Sequence, residues 1–309
     1  MHEPPTSRLS PAPHIVVAPH VAEVRADDRK DERKEDGKHD EQIVGPRTLV
    51  EGSMGRVETI ARLLLGLLAM GVGSAVFLVA LIACIPSRNT RIRIGNVYGT
   101  VVGKSCAWLT GSRYRIRGRR FADGSRPAIY VANHASIVDI FLGIWLSPTG
   151  TCGVGKKEVI YYPFFGQFFW LAGHLRIDRN NRESAVASLK GLAELVKKHA
   201  LSIFIWPEGH RSRDGRLRPF KRGAFHLALA TGLPVVPMVI AGTQNAWESR
   251  SLRLRRAHVD VTFLPPIDTS TWTAETLDAH IEEVARVFTE ALPEEQRPLP
   301  VEEPLRAAA

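Results

Sequence analysis

One stretch of the chain restricts its architecture more than any other. Leu63 to Ile85, LLLGLLAMGVGSAVFLVALIACI, runs 23 residues without a charge. As a helix it is about 35 Å long, against a bilayer hydrocarbon core of roughly 30 Å. Arg62 closes one end, and Pro86, Arg88, Arg91 and Arg93 close the other. One membrane-spanning helix is the direct reading. Gly71, Gly73 and Ser74 fall at mid-segment, so two short helices dipping into one leaflet form the alternative. The basic flank after Ile85 outweighs the one before Leu63, which favours a cytoplasmic C-terminal body.

The rest of the chain has the composition of a globular protein. Of 309 residues, 44% are hydrophobic and 24% charged, which excludes a wholly disordered chain. The three cysteines, Cys84, Cys106 and Cys152, lie far apart with no CxxC, so a zinc finger or disulfide framework is excluded as well. Net charge is +9 but unevenly spread. Residues 1–50 hold 8 Lys and Arg against 10 Asp and Glu, a net −2, which leaves +11 on the remaining 259. A basic body calls for an anionic partner.

These features divide the chain into a disordered charged tail (1–56), a membrane-anchoring segment (57–96), a body (97–292) and a loose Pro- and Glu-rich tail (293–309). Within the body, β-like segments (114–117, 128–132, 151–155, 202–206, 235–240, 259–264) alternate with helix-like ones (137–146, 182–198, 223–231, 274–292). The expected fold is therefore α/β, a mostly parallel sheet flanked by helices, behind an N-terminal membrane-anchoring helical segment. Functional groups belong on the loops after strand ends.

Two such loops carry chemistry. Asn133-His134-Ala135-Ser136-Ile137-Val138-Asp139 follows an apolar strand and opens a helix. A spacing of five puts His134 and Asp139 about 140° apart on a straight helix. They converge only if His134 sits in the loop and Asp139 in the first helical turns. A carboxylate on one imidazole nitrogen then fixes the tautomer and leaves the other nitrogen as a base. The plainer alternative is a helix cap by Asn133 or Ser136, with His134 incidental. In Trp206-Pro207-Glu208-Gly209-His210-Arg211-Ser212, Gly209 lets the backbone approach a ligand and Arg211 offers a planar fork matched to phosphate oxygens. A salt-bridged turn between Glu208 and Arg211 is the alternative there.

Six cations, Arg211, Arg213, Arg216, Arg218, Lys221 and Arg222, fall within twelve residues. Arg113, Arg115, Arg117 and Arg119 alternate and so can share one strand face. No helix-turn-helix or RNA-binding signature accompanies the charge. Beside a 23-residue apolar run, an anionic membrane surface explains it more economically than nucleic acid.

The heptapeptide NHASIVD resembles the NHx4D block of the glycerolipid acyltransferases. The resemblance continues in order through Lys156-Lys157-Glu158 with Pro163-Phe164-Phe165-Gly166, then Gly173-His174-Leu175-Arg176-Ile177-Asp178-Arg179. WPEGHRS is similar to the family's FPEGTRS block, and Leu233-Pro234-Val235-Val236-Pro237 to its fourth block. His210 stands where the family usually has threonine. Four blocks in order across residues 90–265 are a specific signal.

This resemblance implies an acyl transfer from a thioester to the sn-2 hydroxyl of 1-acyl-glycerol-3-phosphate, giving phosphatidic acid. His134 is then the general base and Asp139 its orienting carboxylate. Gly209 and Arg211 hold the acceptor phosphate, with Glu208 positioning Arg211 or a glycerol hydroxyl. Lys156, Lys157 and Arg179 are further phosphate contacts. No metal or prosthetic group is implied; acyl-CoA or acyl carrier protein is the co-substrate. The implied partners are a phospholipid membrane and a lysophospholipid, not nucleic acid. The implied location is a membrane, single-pass or monotopic, with the site facing the cytoplasm. An acyltransferase for another lysolipid, such as lyso-ornithine lipid, and a non-enzymatic basic membrane or nucleic-acid binder are the alternatives.

Overall fold

The computed structural model describes residues 40–247 and 251–299. In chain order the strands and helices are β1 (Glu41–Val44), β2 (Gly52–Ser53), α1 (Arg56–Ala83), α2 (Arg88–Leu109), β3 (Arg113–Arg117), β4 (Ile129–Ala132), α3 (Val138–Leu146), β5 (Thr151–Lys156), α4 (Phe165–Leu171), β6 (Leu175–Ile177), α5 (Arg182–His199), β7 (Ser202–Ile205), α6 (Gly223–Thr231), β8 (Val235–Ala241), α7 (Thr243–Ala246), β9 (Arg255–Arg256), β10 (His258–Phe263) and α8 (Leu277–Ala291). Eight strands form one sheet in the order β1-β3-β10-β8-β4-β7-β5-β6, and β2 pairs with β9 apart from it. The five strands from β8 to β6 run parallel. β10 turns antiparallel to β8, and β3 follows β10 in parallel.

Both faces of the sheet are covered, so its central strands read as unbroken apolar runs rather than alternating ones. Ile129, Val131, Ile203 and Ile205 point into a core closed by α5, α6 and α8 through residues such as Leu192, Phe225 and Phe288. Tyr130, Ala132, Phe204 and Met238 point the other way, onto Val138, Leu142 and Leu146 of α3. On β3, Tyr114 and Ile116 are buried and Arg113, Arg115 and Arg117 lie opposite, but Arg119 falls past the strand in a 3₁₀ turn and donates to Leu146 O instead of sharing that face. Arg115 pairs with Asp260 at 2.7 Å and Arg117 with the same carboxylate at 3.7 Å, so part of that charge is spent inside the sheet.

The apolar run forms one unbroken helix. α1 passes through Gly71, Gly73 and Ser74 without a break, which removes the pair of short helices within the run. Its partner is instead α2, a 22-residue helix that the sequence pattern hides. Gly95, Gly99 and Gly103 fall four apart on α2, and each costs a helix up to about 1 kcal/mol relative to alanine. Their reason is close packing. A Cβ on Gly103 would stand 2.6 Å from Phe141 O, and one on Gly95 2.7 Å from Ala172 Cβ. The bare backbone lets α2 lie directly on α3 and α4. α1 then runs along α2: a Cβ on Gly73 would stand 2.9 Å from Val102, and Ser74 Oγ and Tyr98 Oη are 2.9 Å apart. The outer side of α1, with Ile60, Leu64, Leu68, Val72, Val76 and Val79, is exposed.

Two boundaries differ from the compositional reading. Residues 1–39 and 300–309 lie outside the described residues, so the tails are addressed only in part. Within 40–56, Glu41–Val44 is an edge strand paired antiparallel with β3, from Glu41↔Arg117 to Val44↔Tyr114. An edge strand needs backbone partners more than an apolar side chain; Ile43 is half exposed, so composition did not mark it. In the C-terminal tail, Gln296 is 1% exposed and accepts the Gly242 N–H at 2.8 Å, so the chain is docked there rather than loose.

Candidate active site

Parallel strands bring their C-terminal ends to one edge, where the following loops gather. The order β4-β7-β5-β6 therefore sets His134, the Glu208–Arg211 turn, Lys156 and Arg179 side by side along that edge. The family of loops is braced by Asn133, whose Nδ2 donates to Ile240 O and whose Oδ1 accepts the Ile240 N–H, both at 2.8 Å.

His134 lies in the loop, and Asp139 falls in the first turn of α3, one residue past its start. The two converge as the spacing required. Asp139 is fully buried, and its Oδ2 accepts from His134 Nδ1 at 2.9 Å, from the Ala135 N–H at 2.6 Å and from the Ser136 N–H at 2.7 Å. With Nδ1 donating to a carboxylate, Nε2 carries the free lone pair. Among the described residues Nε2 makes no hydrogen bond. The imidazole stacks on Trp206 at 4.8 Å between centroids, which holds the ring plane. The helix-cap alternative accounts for less: Ser136 Oγ does accept the Val138 N–H at 3.3 Å, but Asn133 is spent on β8.

Glu208 does not pair with Arg211. Its Oε1 accepts the His134 N–H at 2.6 Å and its Oε2 the Arg218 N–H at 3.1 Å. The carboxyl is 3% exposed, and a buried carboxyl takes the nearest donors, which here are two backbone amides. Burial pushes it up to about 8 against the downward pull of those two amides, with Asp139 adding to the rise.

Around the turn stands a group of cations. Gly209 takes a left-handed φ of +77°, and Lys221 packs against its α-carbon, closely enough that a Cβ would meet Lys221 Cδ at 2.9 Å. Arg179 donates to Gly209 O. Lys156 Nζ lies 5.5 Å from the Tyr162 ring centroid. His210 Nδ1 is 3.5 Å from Lys221 Nζ. Partial burial and then Lys221, Arg179, Arg218 and Lys156 hold the His210 imidazole below its usual range, so all four cations bear on one point. Arg211 makes no ion pair among the described residues. Lys157 departs from the group, because its Nζ is paired with Asp178 at 2.8 Å. Sequence reasoning missed Arg218, Lys221 and Trp206 as parts of this site. The first two sat inside a basic run read only as surface charge, and no spacing marks an aromatic shelf.

A protein-family model described as Acyltransferase matches residues 113–241, which hold this whole constellation. The chain is 44% identical over 241 residues to a 1-acyl-sn-glycerol-3-phosphate acyltransferase of Cocos nucifera, covering 78% of each. It is 40% identical over 176 residues to the protein of that name in Escherichia coli (strain K12), covering 56% of this chain and 69% of the relative. The crystal structure of the 1-acyl-sn-glycerophosphate (LPA) acyltransferase PlsC from Thermotoga maritima shares the fold, with a TM-score of 0.57 and 24% identity over 76% of this chain and 99% of that one. The chain belongs to the 1-acyl-sn-glycerol-3-phosphate acyltransferase family.

Proposed function

We propose that the protein transfers an acyl group from a thioester to the free sn-2 hydroxyl of 1-acyl-glycerol-3-phosphate, giving phosphatidic acid. The observation that carries the reading is the His134 Nδ1–Asp139 Oδ2 contact of 2.9 Å, with Nε2 left free. Nε2 takes the proton of the acceptor hydroxyl as its oxygen attacks the thioester carbonyl carbon. The tetrahedral adduct collapses, the C–S bond breaks, and the departing thiolate recovers the proton from His134. Asp139 steadies the imidazolium in between. The acceptor phosphate sits at Gly209 and Arg211, with Arg179 and Lys156 beside them. Arg211, Arg179 and Lys156, none with a carboxylate partner among the described residues, suit a phosphate better than the zwitterionic head of a lyso-ornithine lipid.

The donor is acyl-CoA or acyl carrier protein, both cytoplasmic, so the site faces the cytoplasm. α1 is long and apolar enough to cross a membrane by length and composition. The reading favoured is monotopic, because β1 before α1 and β3 after α2 are hydrogen-bonded neighbours in one sheet. Both ends of the α1–α2 hairpin thus belong to the same body, and the exposed side of α1 lies in one leaflet. Release of free thiol from acyl-CoA by the purified chain tests the reaction. It should require 1-acyl-glycerol-3-phosphate and fail with lyso-ornithine lipid; the reverse preference overturns the acceptor assignment.

A further inference from the structure

At the turn between α1 and α2 the surface opens into a cleft of about 500 Å³, whose lining includes none of the residues named at the His134 edge. Its lining includes Arg88, Arg91, His174 and Arg176, with Ile85 and Trp170 at the rim. The polar groups that line it are mainly donors. Arg88 Nε donates to Gly173 O at 2.8 Å and Arg91 Nη1 to Leu171 O at 2.6 Å, which fixes both side chains but leaves their charges unpaired. Arg91 Nε is buried and has no partner among the described residues. Arg176 lies 5.8 Å from the Trp170 ring. Among the described residues none of the three arginines has a carboxylate.

His174 lines the cleft as well. Its Nδ1 accepts the Gly153 N–H at 3.1 Å, so the neutral ring carries its proton on Nε2, which has no acceptor among the described residues. Burial, with Arg88 contributing, pushes the imidazole down to about 4, so the ring is neutral at physiological pH. Three guanidinium groups line this space, and among the described residues no carboxylate faces them. Buried donors require acceptors, and clustered arginines match the oxygens of a phosphate.

We propose that this cleft binds the phosphate of an anionic phospholipid from the surrounding leaflet, as a site separate from the acceptor's. The rim argues for a lipid rather than a free anion. Ile85 and Trp170 are both exposed, and Ile85 lies two residues past the end of α1. Indole rings favour the head-group level of a bilayer, and a phosphate held at that depth lets its acyl chains continue along α1. The site rests on the reading of α1 as a membrane anchor and would pin the hairpin tip against anionic lipid.

The test is native mass spectrometry of the full chain with phosphatidylglycerol or phosphatidylcholine, beside flotation on phosphatidylcholine vesicles in high salt. The wild type should retain phosphatidylglycerol in preference to phosphatidylcholine. Arg91→Gln with Arg176→Gln should weaken that retention by about tenfold or more while flotation stays unchanged. Arg176→Gln alone, which breaks no hydrogen bond to the backbone, should show part of the loss if the double variant fails to fold. Equal retention by wild type and Arg176→Gln, or displacement of the lipid by inorganic phosphate alone, overturns the proposal. Failure of flotation in the wild type would overturn the anchor reading instead.

Discussion

Glu208 Oε1 accepts the backbone N–H of His134 at 2.6 Å, tying the loop after β7 to the loop after β4. The second oxygen of the same carboxyl takes the Arg218 N–H. One buried side chain therefore sets the distance between the His134 loop and the turn that carries Gly209 and Arg211. Under the proposed reaction the acceptor's hydroxyl and phosphate are parts of one small molecule, so this distance would govern whether both are engaged together.

Replacing His134 with alanine should lower kcat by ~10²–10⁴-fold, the usual size of a general-base contribution, with little change in melting temperature. Asp139→Asn should also lose activity, and should melt lower, because Asp139 Oδ2 serves three donors at once. Steady-state rates beside thermal melts check both. Turnover near wild type in His134→Ala would remove it from the mechanism.

For Glu208→Gln we expect a loss of about 1–3 kcal/mol, since one of the two amides would face an NH₂ group. The pH dependence has a definite sign. The folded value near 8 lies above the ordinary 4.5, so the folded chain keeps a proton that the unfolded chain releases. That contribution is fully present below about 4.5 and lost as pH rises through about 8. The wild-type advantage in melting temperature over Glu208→Gln should therefore shrink from pH 5 toward pH 9. A constant difference would mean that Glu208 is ionised throughout.

Arg211→Lys should raise the KM for the lysophosphatidate acceptor more than the KM for the acyl thioester, because an ammonium cannot make the bidentate phosphate contact. Lys157→Gln should affect the acceptor KM much less, since its charge is already paired with Asp178. Equal effects of Arg211→Lys on both substrates would point to a structural role.

Gly103 faces the backbone of α3 so closely that a methyl group cannot fit beside Phe141 O. Gly103→Ala should cost about 1–3 kcal/mol despite alanine's better helix propensity. A variant that melts higher than wild type would show that the α2–α3 contact is looser than its geometry.

Single cysteines at Val57 and Ser87, in a background lacking Cys84, Cys106 and Cys152, mark the two ends of α1. Both should be shielded from a membrane-impermeant thiol reagent in intact cells and labelled after lysis. Labelling of one alone in intact cells would mean that α1 crosses the bilayer.

Much of this protein is legible in its sequence because the signals are local. Uncharged length marks α1, β-branched and apolar runs mark β4, β7 and β8, and the NHASIVD spacing forces His134 into the loop if Asp139 is to reach it. Other features depend on contacts between distant segments. α2 reads poorly because its glycines weaken it as an isolated helix; they are favourable only where α3 and Ala172 press against the bare backbone. Glu208 reads as a partner for Arg211, three residues on, until folding buries it beside the amides of His134 and Arg218, 74 and 10 residues away. β1 acquires its strand only from β3, and the cleft at the hairpin tip joins residues from both sides of β5. A residue's type and its near neighbours limit which partners it can satisfy. Which of those partners it meets is decided by tertiary packing, because a buried charge or donor must be paired with whatever the fold brings within reach.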